Sequence, residues 1–262
     1  MKIVVTVKLV PDTNAAKRID PGTKRLVRSG VETVINPYDE YAIEAALQLK
    51  AQVGGDTTVT VFSMVPEGGK EVVRKALAMG ADDAVMLSDA ELSGSDVWET
   101  ARAMAAGIRK IGFDVVICGG LTDDGSTGAV PSALAEYLQV PGFTNARKIE
   151  VQGNALSVQR ETDSGYQVVS GPLPALVSVT MAIGEPRYPS LKGIMGAKKK
   201  SIEMQALADL ALEGAAGAAG AKTVVIEIAA PPTRAPGKIV NAADPQEGAK
   251  AIFDLLKEKK LV

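Results

Sequence analysis

Apolar runs and amphipathic segments alternate along the first 142 residues of the chain. Short runs rich in β-branched residues predict strands, whereas apolar residues three and four positions apart predict helices. The predicted strands cover residues 2–10, 57–63, 84–87 and 114–118, and the predicted helices cover residues 39–53, 67–79, 95–111 and 131–138. Such a series is typical of an α/β fold, in which helices cover both faces of a mostly parallel sheet.

The pattern changes after residue 141. Runs at residues 146–151, 155–161 and 167–169 are separated by turn-forming residues and predict a small antiparallel region, and residues 174–180 predict a further strand. The sheet is therefore expected to carry an antiparallel extension.

The rest of the chain is more broken. Residues 185–200, EPRYPSLKGIMGAKKK, predict a loop that ends in a basic run, which is typical of a solvated face. The Ala/Gly-rich residues 214–220 predict a flexible connection, residues 223–229 a strand and residues 245–259 a helix. The apolar stripe of that helix, formed by Ile252, Leu255 and Leu256, requires a surface that covers it, either of its own domain or of a partner.

Composition narrows the possible functions. A net charge of −2 argues against a nucleic-acid partner, and the first apolar run is interrupted by Lys8 and too short to insert into a membrane. We therefore expect a cytoplasmic protein.

The chain has no histidine and one cysteine, Cys118, which we expect to be a small core residue. No metal site and no catalytic side chain are predicted, and the chemistry is expected to belong to a bound cofactor.

The candidate site lies in residues 114–141, DVVICGGLTDDGSTGAVPSALAEYLQVP. A buried strand leads into small residues and then into a helix, whose first amides and dipole favour an anion such as phosphate. Four glycines permit close approach of a ligand, and Ser126 and Thr127 add hydroxyl groups. One interpretation is an adenylate-binding turn, and the other is an ordinary strand-to-helix connection, because the loop matches neither GxGxxG nor GxxxxGK[ST].

Parallel strands end at one edge of a sheet, so three strand exits are expected to converge there. These exits are residues 8–13, residues 63–66 and the glycine loop. Asn36 precedes the first long helix and either caps that helix or turns its amide to an adenine edge, and capping is the default expectation.

Several longer motifs resemble one family. Residues 158–178, VQRETDSGYQVVSGPLPALVS, resemble the signature of the beta subunit of electron transfer flavoproteins, although Ser164 departs from it. EPRYPSLKGIMGAKKK resembles the recognition loop of that family, NPYDEYAIEAA its first long helix, and PPTRAPGK its C-terminal arm. The similarity covers essentially the whole chain, with the motifs in the expected order.

The resemblance implies a Rossmann-like fold of the adenine nucleotide alpha hydrolase type. Residues 1–230 would form the nucleotide-binding domain, including the recognition loop 185–200. Residues 231–262 would form a C-terminal arm, with a terminal helix that packs on the partner subunit. Family members are heterodimers in which the alpha subunit holds most of an FAD, and the beta subunit binds AMP. The expected protein is an electron carrier without stand-alone catalysis.

The resemblance also implies the site residues. The adenylate site would comprise Val7, Leu9, Asn36, Ser63, Val65, Gly119, Asp124, Gly125, Ser126, Thr127, Gly128, Ala129 and Val130. Ala129 is a departure, because many relatives carry glutamine there, and backbone amides would have to replace that contact. Leu191 matches the leucine that docks into redox partners such as acyl-CoA dehydrogenases.

The implied function is electron transport from dehydrogenases of fatty acid oxidation, through FAD, to a membrane quinone oxidoreductase. In electron-bifurcating relatives a second FAD occupies the beta site and NADH reduces it, and we favour AMP over this alternative. A nucleotide-binding regulatory protein would share the βαβ series but would not need the 185–200 loop. A NAD-dependent dehydrogenase would need GxGxxG after its first strand, where this chain has VKLVPDTN.

Overall fold

The computed structural model describes residues 1–229, 232–234, 236–237, 239–241 and 244–262. The chain forms two compact units, Met1–Val225 and Ile226–Val262. The second unit contains one long helix. Among the described residues, no helix combines the length and the apolar character that a bilayer span requires.

The strands and helices follow one another along the chain with short connections. The strands are β1 Lys2–Thr6, β2 Leu9–Pro11, β3 Ile19–Asp20, β4 Arg25–Leu26, β5 Thr33–Ile35, β6 Thr58–Met64, β7 Asp83–Leu87, β8 Val115–Gly119, β9 Gly142–Gln152, β10 Ala155–Thr162, β11 Gly165–Pro172, β12 Ala175–Val179 and β13 Glu203–Gln205. The α-helices are α1 Pro37–Val53, α2 Lys70–Met79, α3 Val97–Ile111, α4 Val130–Leu138, α5 Leu191–Lys199, α6 Gly217–Gly220 and α7 Pro245–Glu258. Short 3-10 helices cover Glu67–Gly69, Ala90–Leu92, Met181–Ile183 and Leu207–Asp209.

Nine of these strands form one sheet in the order β11-β10-β9-β12-β8-β1-β6-β7-β13. All neighbours from β9 to β13 in that order are parallel, whereas the β9–β10 and β10–β11 pairs are antiparallel. The predicted α/β class with a small antiparallel region is confirmed.

Alternate strand residues supply two separate cores. In β1, Val5 faces the core that contains Ile43 of α1 and Val73 of α2, whereas Val4 faces the core that contains Ile108 of α3. A slip of one residue in register would exchange these two faces, so burial on both sides fixes the pairing. Cys118 is buried in the second core, as expected.

The first predicted strand is divided in two. β1 ends at Thr6, and residues 9–11 form β2, which pairs antiparallel with β5. The segment at Lys8 therefore bends across the carboxyl edge of the sheet instead of continuing along it.

The structure corrects three predictions in the last third of the chain. The 185–200 loop contains helix α5, because Ser190 caps its first turn by accepting a hydrogen bond from the Gly193 amide at 3.0 Å. The connection at residues 214–220 contains α6, and its Gly217 is buried. Residues 223–229, all of which are described, form no strand: the Thr223 amide donates to Asp96 at 2.8 Å instead of to a neighbouring strand.

The predicted division of the chain at residue 230 stays a prediction. The terminal helix is present as α7, within one residue of the expected bounds.

Candidate nucleotide-binding site

The exits of β1 and β6 are joined at the carboxyl edge of the sheet. The amide of Val7 donates to the Phe62 carbonyl at 2.9 Å, and the Ser63 hydroxyl donates to the Val7 carbonyl at 2.8 Å. Val65 then donates its amide to the Leu87 carbonyl, and Leu9 begins β2. Since β8 pairs with β1, the glycine loop after β8 begins at the same edge.

The side chain of Asn36 connects this edge to the glycine loop. It is fully buried, donates from Nδ2 to the Leu121 carbonyl at 2.9 Å and accepts from the Asp123 amide at 3.0 Å. Asn36 occupies the N-cap position of α1, but its side chain makes no capping bond. The default expectation of capping is therefore wrong. The reason is that the Asp39 amide already bonds to the backbone carbonyl of Asn36, and the amide side chain is directed to the loop.

The glycine loop leaves its central residues exposed at the start of α4. Gly125, Ser126, Thr127 and Gly128 are exposed, and Ser126 and Gly128 have the positive φ values of 50° and 62°. Ala129 and Val130 stand at the N-cap and first positions of α4, and no side chain caps this helix. The first-turn amides therefore face the loop without a side-chain acceptor, an arrangement that favours an anion.

Two basic side chains converge on the buried carboxylate of Asp124. Lys8 Nζ lies 2.8 Å from Oδ1 and Arg28 Nη2 lies 2.6 Å from Oδ2. Burial alone would raise the pKa of Asp124, but the hydrogen bonds and charge of its basic partners outweigh burial and lower the pKa to about 2. Two cations share one carboxylate, so this group of three side chains carries one net positive charge. Arg28 was not predicted as a site residue, and Lys8 was predicted only as part of the strand exit at residues 8–13.

Asp39, also not predicted, lies beneath the loop in the first turn of α1. Its Oδ2 accepts from the Lys8 amide at 2.8 Å, and a Cβ at Gly119 would lie 2.4 Å from its Oδ1. Gly119 is thus required for the close approach of strand and helix. Burial raises the pKa of Asp39 to about 7, although hydrogen bonds from Asn36, Lys8 and Gly119 oppose the rise.

The expected residues thus fall into two places. The three strand exits, Asn36 and residues 119–130 meet at one edge of the sheet, whereas Leu191 begins α5, which packs on α2. The Leu191 side chain is 75% exposed.

Among the described residues, no cluster of three or more His, Cys, Asp or Glu side chains has the arrangement of a metal site.

A mostly parallel sheet with a glycine loop at the carboxyl ends of its central strands defines a doubly wound α/β protein, a class whose ligands bind at that edge. Comparison with known proteins then identifies the family. Residues 23–210 match the family described as electron transfer flavoprotein domain. The chain is 40% identical to the electron transfer flavoprotein subunit beta of Megasphaera elsdenii, over 99% of this chain and 97% of that protein.

Other relatives match over similar lengths. The identity is 39% with the electron transfer flavoprotein subunit beta of Mycobacterium tuberculosis, over 99% of each chain. It is 37% with the CarD subunit of the caffeyl-CoA reductase-Etf complex of Acetobacterium woodii, over the whole of both chains. The chain belongs to the electron transfer flavoprotein beta-subunit family, which confirms the resemblance drawn from its motifs.

The raised pKa of Asp39 predicts a specific pH dependence of stability. Between about pH 4 and pH 7 the folded protein retains a proton that the unfolded chain has lost, so the free energy of unfolding falls as pH rises through this window. Asp39→Asn keeps an acceptor oxygen but has no proton to lose. We expect the wild type to lose stability relative to the variant between pH 5 and pH 8, by on the order of a few kcal/mol in the free energy of unfolding. The measurement is the melting temperature of both proteins across this pH range.

The control is Asp83→Asn, which removes an exposed carboxylate at the start of β7. If the melting temperatures of the wild type and Asp39→Asn instead differed by the same amount at every pH in this range, Asp39 would be ionised in the folded protein throughout.

Proposed function

We propose that this chain is the beta subunit of a heterodimeric electron transfer flavoprotein and holds the adenylate of AMP at the carboxyl edge of its sheet. One observation carries the proposal of the site. The uncapped first turn of α4 opens on an exposed glycine loop, beside the Lys8 and Arg28 side chains. Backbone amides, a helix N-terminus and nearby basic side chains together favour the binding of a phosphate group.

The side chains at the strand exits organise this donor set. Asn36 holds Leu121 and Asp123, so the loop keeps its shape before any ligand binds. The Lys8 and Arg28 side chains are each nearly half exposed and remain able to approach an anion at the mouth of the loop. We assign the adenylate to Val7, Leu9, Asn36, Ser63, Val65, Gly119 and residues 124–130, where backbone atoms supply most contacts.

The alpha subunit that this family implies would hold most of the FAD, and FAD when bound supplies the electron-carrying chemistry. The second unit of this chain suits a role in that assembly. Helix α7 has no buried residue, and Ile252, Phe253 and Leu255 are all exposed. An amphipathic helix with an uncovered apolar stripe is stable when another surface covers it. We infer that the arm packs on the alpha subunit.

The redox partners proposed are dehydrogenases such as acyl-CoA dehydrogenases as donors and a membrane quinone oxidoreductase as acceptor, with the protein in the cytoplasm. Leu191 supports a docking surface, because it stands at the first position of α5 with three quarters of its surface exposed. A few residues commonly carry most of the binding energy of an interface, and they fill well-packed pockets of the partner.

A second candidate is an electron-bifurcating flavoprotein with a second FAD and an NADH site. The match to the CarD subunit of the caffeyl-CoA reductase-Etf complex over the full length of both chains supports it. The glycine loop is compatible with either ligand, because AMP and FAD share the adenylate group. The NPYDEYAIE stretch resembles the bifurcating members, whereas TDDGSTGAV and EPRYPSLKGIM resemble the single-FAD members, and on this balance we favour AMP. The full-length match to flavoprotein subunits favours both candidates over a regulatory protein.

Gly125 provides a test of the adenylate site. A Cβ added there would lie 3.3 Å from Thr122 Oγ1 and 3.9 Å from Lys8 Nζ, so the fold accommodates a side chain with small shifts. We expect Gly125→Val to block the approach of the ligand and to empty the site. Loss of a ligand present at about 100 times its Kd removes about 2.7 kcal/mol of stability. The measurement is nucleotide released by denaturing the purified heterodimer.

The matched control is Gly196→Val, because a Cβ at that position meets nothing within 4 Å. Full nucleotide content in Gly125→Val would mean that the ligand does not lie against this loop.

Leu191 provides a test of partner docking. We expect Leu191→Ala to cost about 2 kcal/mol, which is roughly a thirtyfold faster dissociation from the partner dehydrogenase. Flavin content and melting temperature should not change, because the side chain is exposed. Val168→Ala is the control, since Val168 is similarly exposed, at 63%, on the edge strand β11. A lower melting temperature with normal electron transfer would place Leu191 in a structural role.

A further inference from the structure

Arg187 fastens the segment before α5 to helix α1. Its backbone amide and Nε donate to Glu44 Oε2 at 3.1 and 2.7 Å, and its Nη2 donates to Oε1 at 2.9 Å. The Glu44 side chain is 7% exposed and that of Arg187 is 49% exposed. The three bonds join the backbone and the guanidinium of one residue to a single carboxylate, so they fix both the position and the orientation of the loop.

The loop has little apolar support at this point. A cavity of about 290 Å³ lies between it and the helices beneath, and Tyr41 and Met79 form part of the cavity lining together with residues 185–189. The next residue, Tyr188, is 89% exposed. A segment that spans a cavity and exposes its aromatic side chain gains little from packing, so its polar attachment to Glu44 decides where it lies.

Helix α5 has separate attachments, all at or after its third residue. Gly193 approaches the Ala78 carbonyl so closely that an added Cβ would lie 2.3 Å from it. Arg74 Nη1 donates to the Ala197 carbonyl at 3.0 Å, and Lys200 Nζ donates to the Ala81 carbonyl at 2.6 Å. The body of the helix is therefore held on α2 without help from Glu44, and Ser190 is bonded to its first turn. Residues 185–189 instead depend on the hydrogen bonds between Arg187 and Glu44.

We propose that Glu44 is a positioning residue for partner docking: by binding Arg187 it holds residues 185–191, and hence Tyr188 and Leu191, in the arrangement that a redox partner contacts. The inference rests on the proposed function, since it assumes that a partner docks at Leu191. Hydrogen bonds from Arg187 are the main reason that the pKa of Glu44 lies below its ordinary value, so the pair is ionised at neutral pH. Without the pair, the partner would have to order the loop when it binds, which weakens binding.

The experiment uses the intact heterodimer with Glu44→Gln, Arg187→Gln and the double variant. Lys75→Gln is the matched control, because Lys75 lines the same cavity but pairs with Glu40 of α1, at 2.7 Å. Two quantities are measured. One is the KM and kcat for electron transfer from the dehydrogenase to the heterodimer, and the other is the hydrogen exchange of the amides in residues 185–191.

We expect each single variant to raise the KM about tenfold, with kcat and flavin content unchanged. This is the change in affinity expected when one more side chain has to be ordered on binding. Exchange should rise in residues 185–191 and stay constant in residues 197–205. The double variant should resemble the single variants, because all three lose the same pair. Glu44→Asp, which keeps the charge, should recover part of the wild-type KM.

Leu191→Ala, measured in parallel, separates the two possible failures. If Leu191→Ala raises the KM and Glu44→Gln does not, the positioning role is wrong and the docking surface stands. If neither variant changes the KM, the docking surface itself is wrong. Unchanged exchange in residues 185–191 of Glu44→Gln would overturn the positioning role whatever the kinetics show.

Discussion

The buried side chain of Asn36 is the interaction on which the candidate site depends. Its amide bonds to the carbonyl of Leu121 and the amide of Asp123, which are separated by one residue in the glycine loop. These contacts hold the loop against the exit of β1, where Lys8 then reaches Asp124. Loss of the Asn36 side chain would leave two loop backbone groups without partners, at a cost of about 1–3 kcal/mol for each one that stays buried.

Most of the fold could be predicted because it follows from local patterns. Apolar alternation and helical spacing located the strands and helices of the βαβ series, since burial on both faces of the sheet imposes those patterns. The segment at residues 223–229 has the composition of a strand but forms none, because strand formation requires a neighbouring edge and Asp96 binds the Thr223 amide instead. Helix α5 was missed because its two glycines are typical of a loop, although Ser190 before them is a favourable N-cap residue.

The glycine loop was visible in the sequence, whereas the side chains that organise it were not. Asp39 resembles an ordinary acidic residue in a first helical turn, and only the pairing of β8 with β1 brings it against Gly119. Arg28 and Asp124 are 96 residues apart, so no local pattern connects them. The position of Asn36 before α1 predicted that it caps the helix. Its side chain instead accepts a hydrogen bond from the distant Asp123 amide, which the local sequence does not indicate.

The most direct test of the account is the cofactor content of the purified heterodimer. The flavin-to-protein ratio is measured first, and the nucleotides released on denaturation are then identified. A beta subunit whose loop holds only an adenylate predicts a single FAD per heterodimer, together with an equal amount of AMP. Two FAD molecules per heterodimer without AMP would contradict the proposal and assign the site at the carboxyl edge of the sheet to a second flavin.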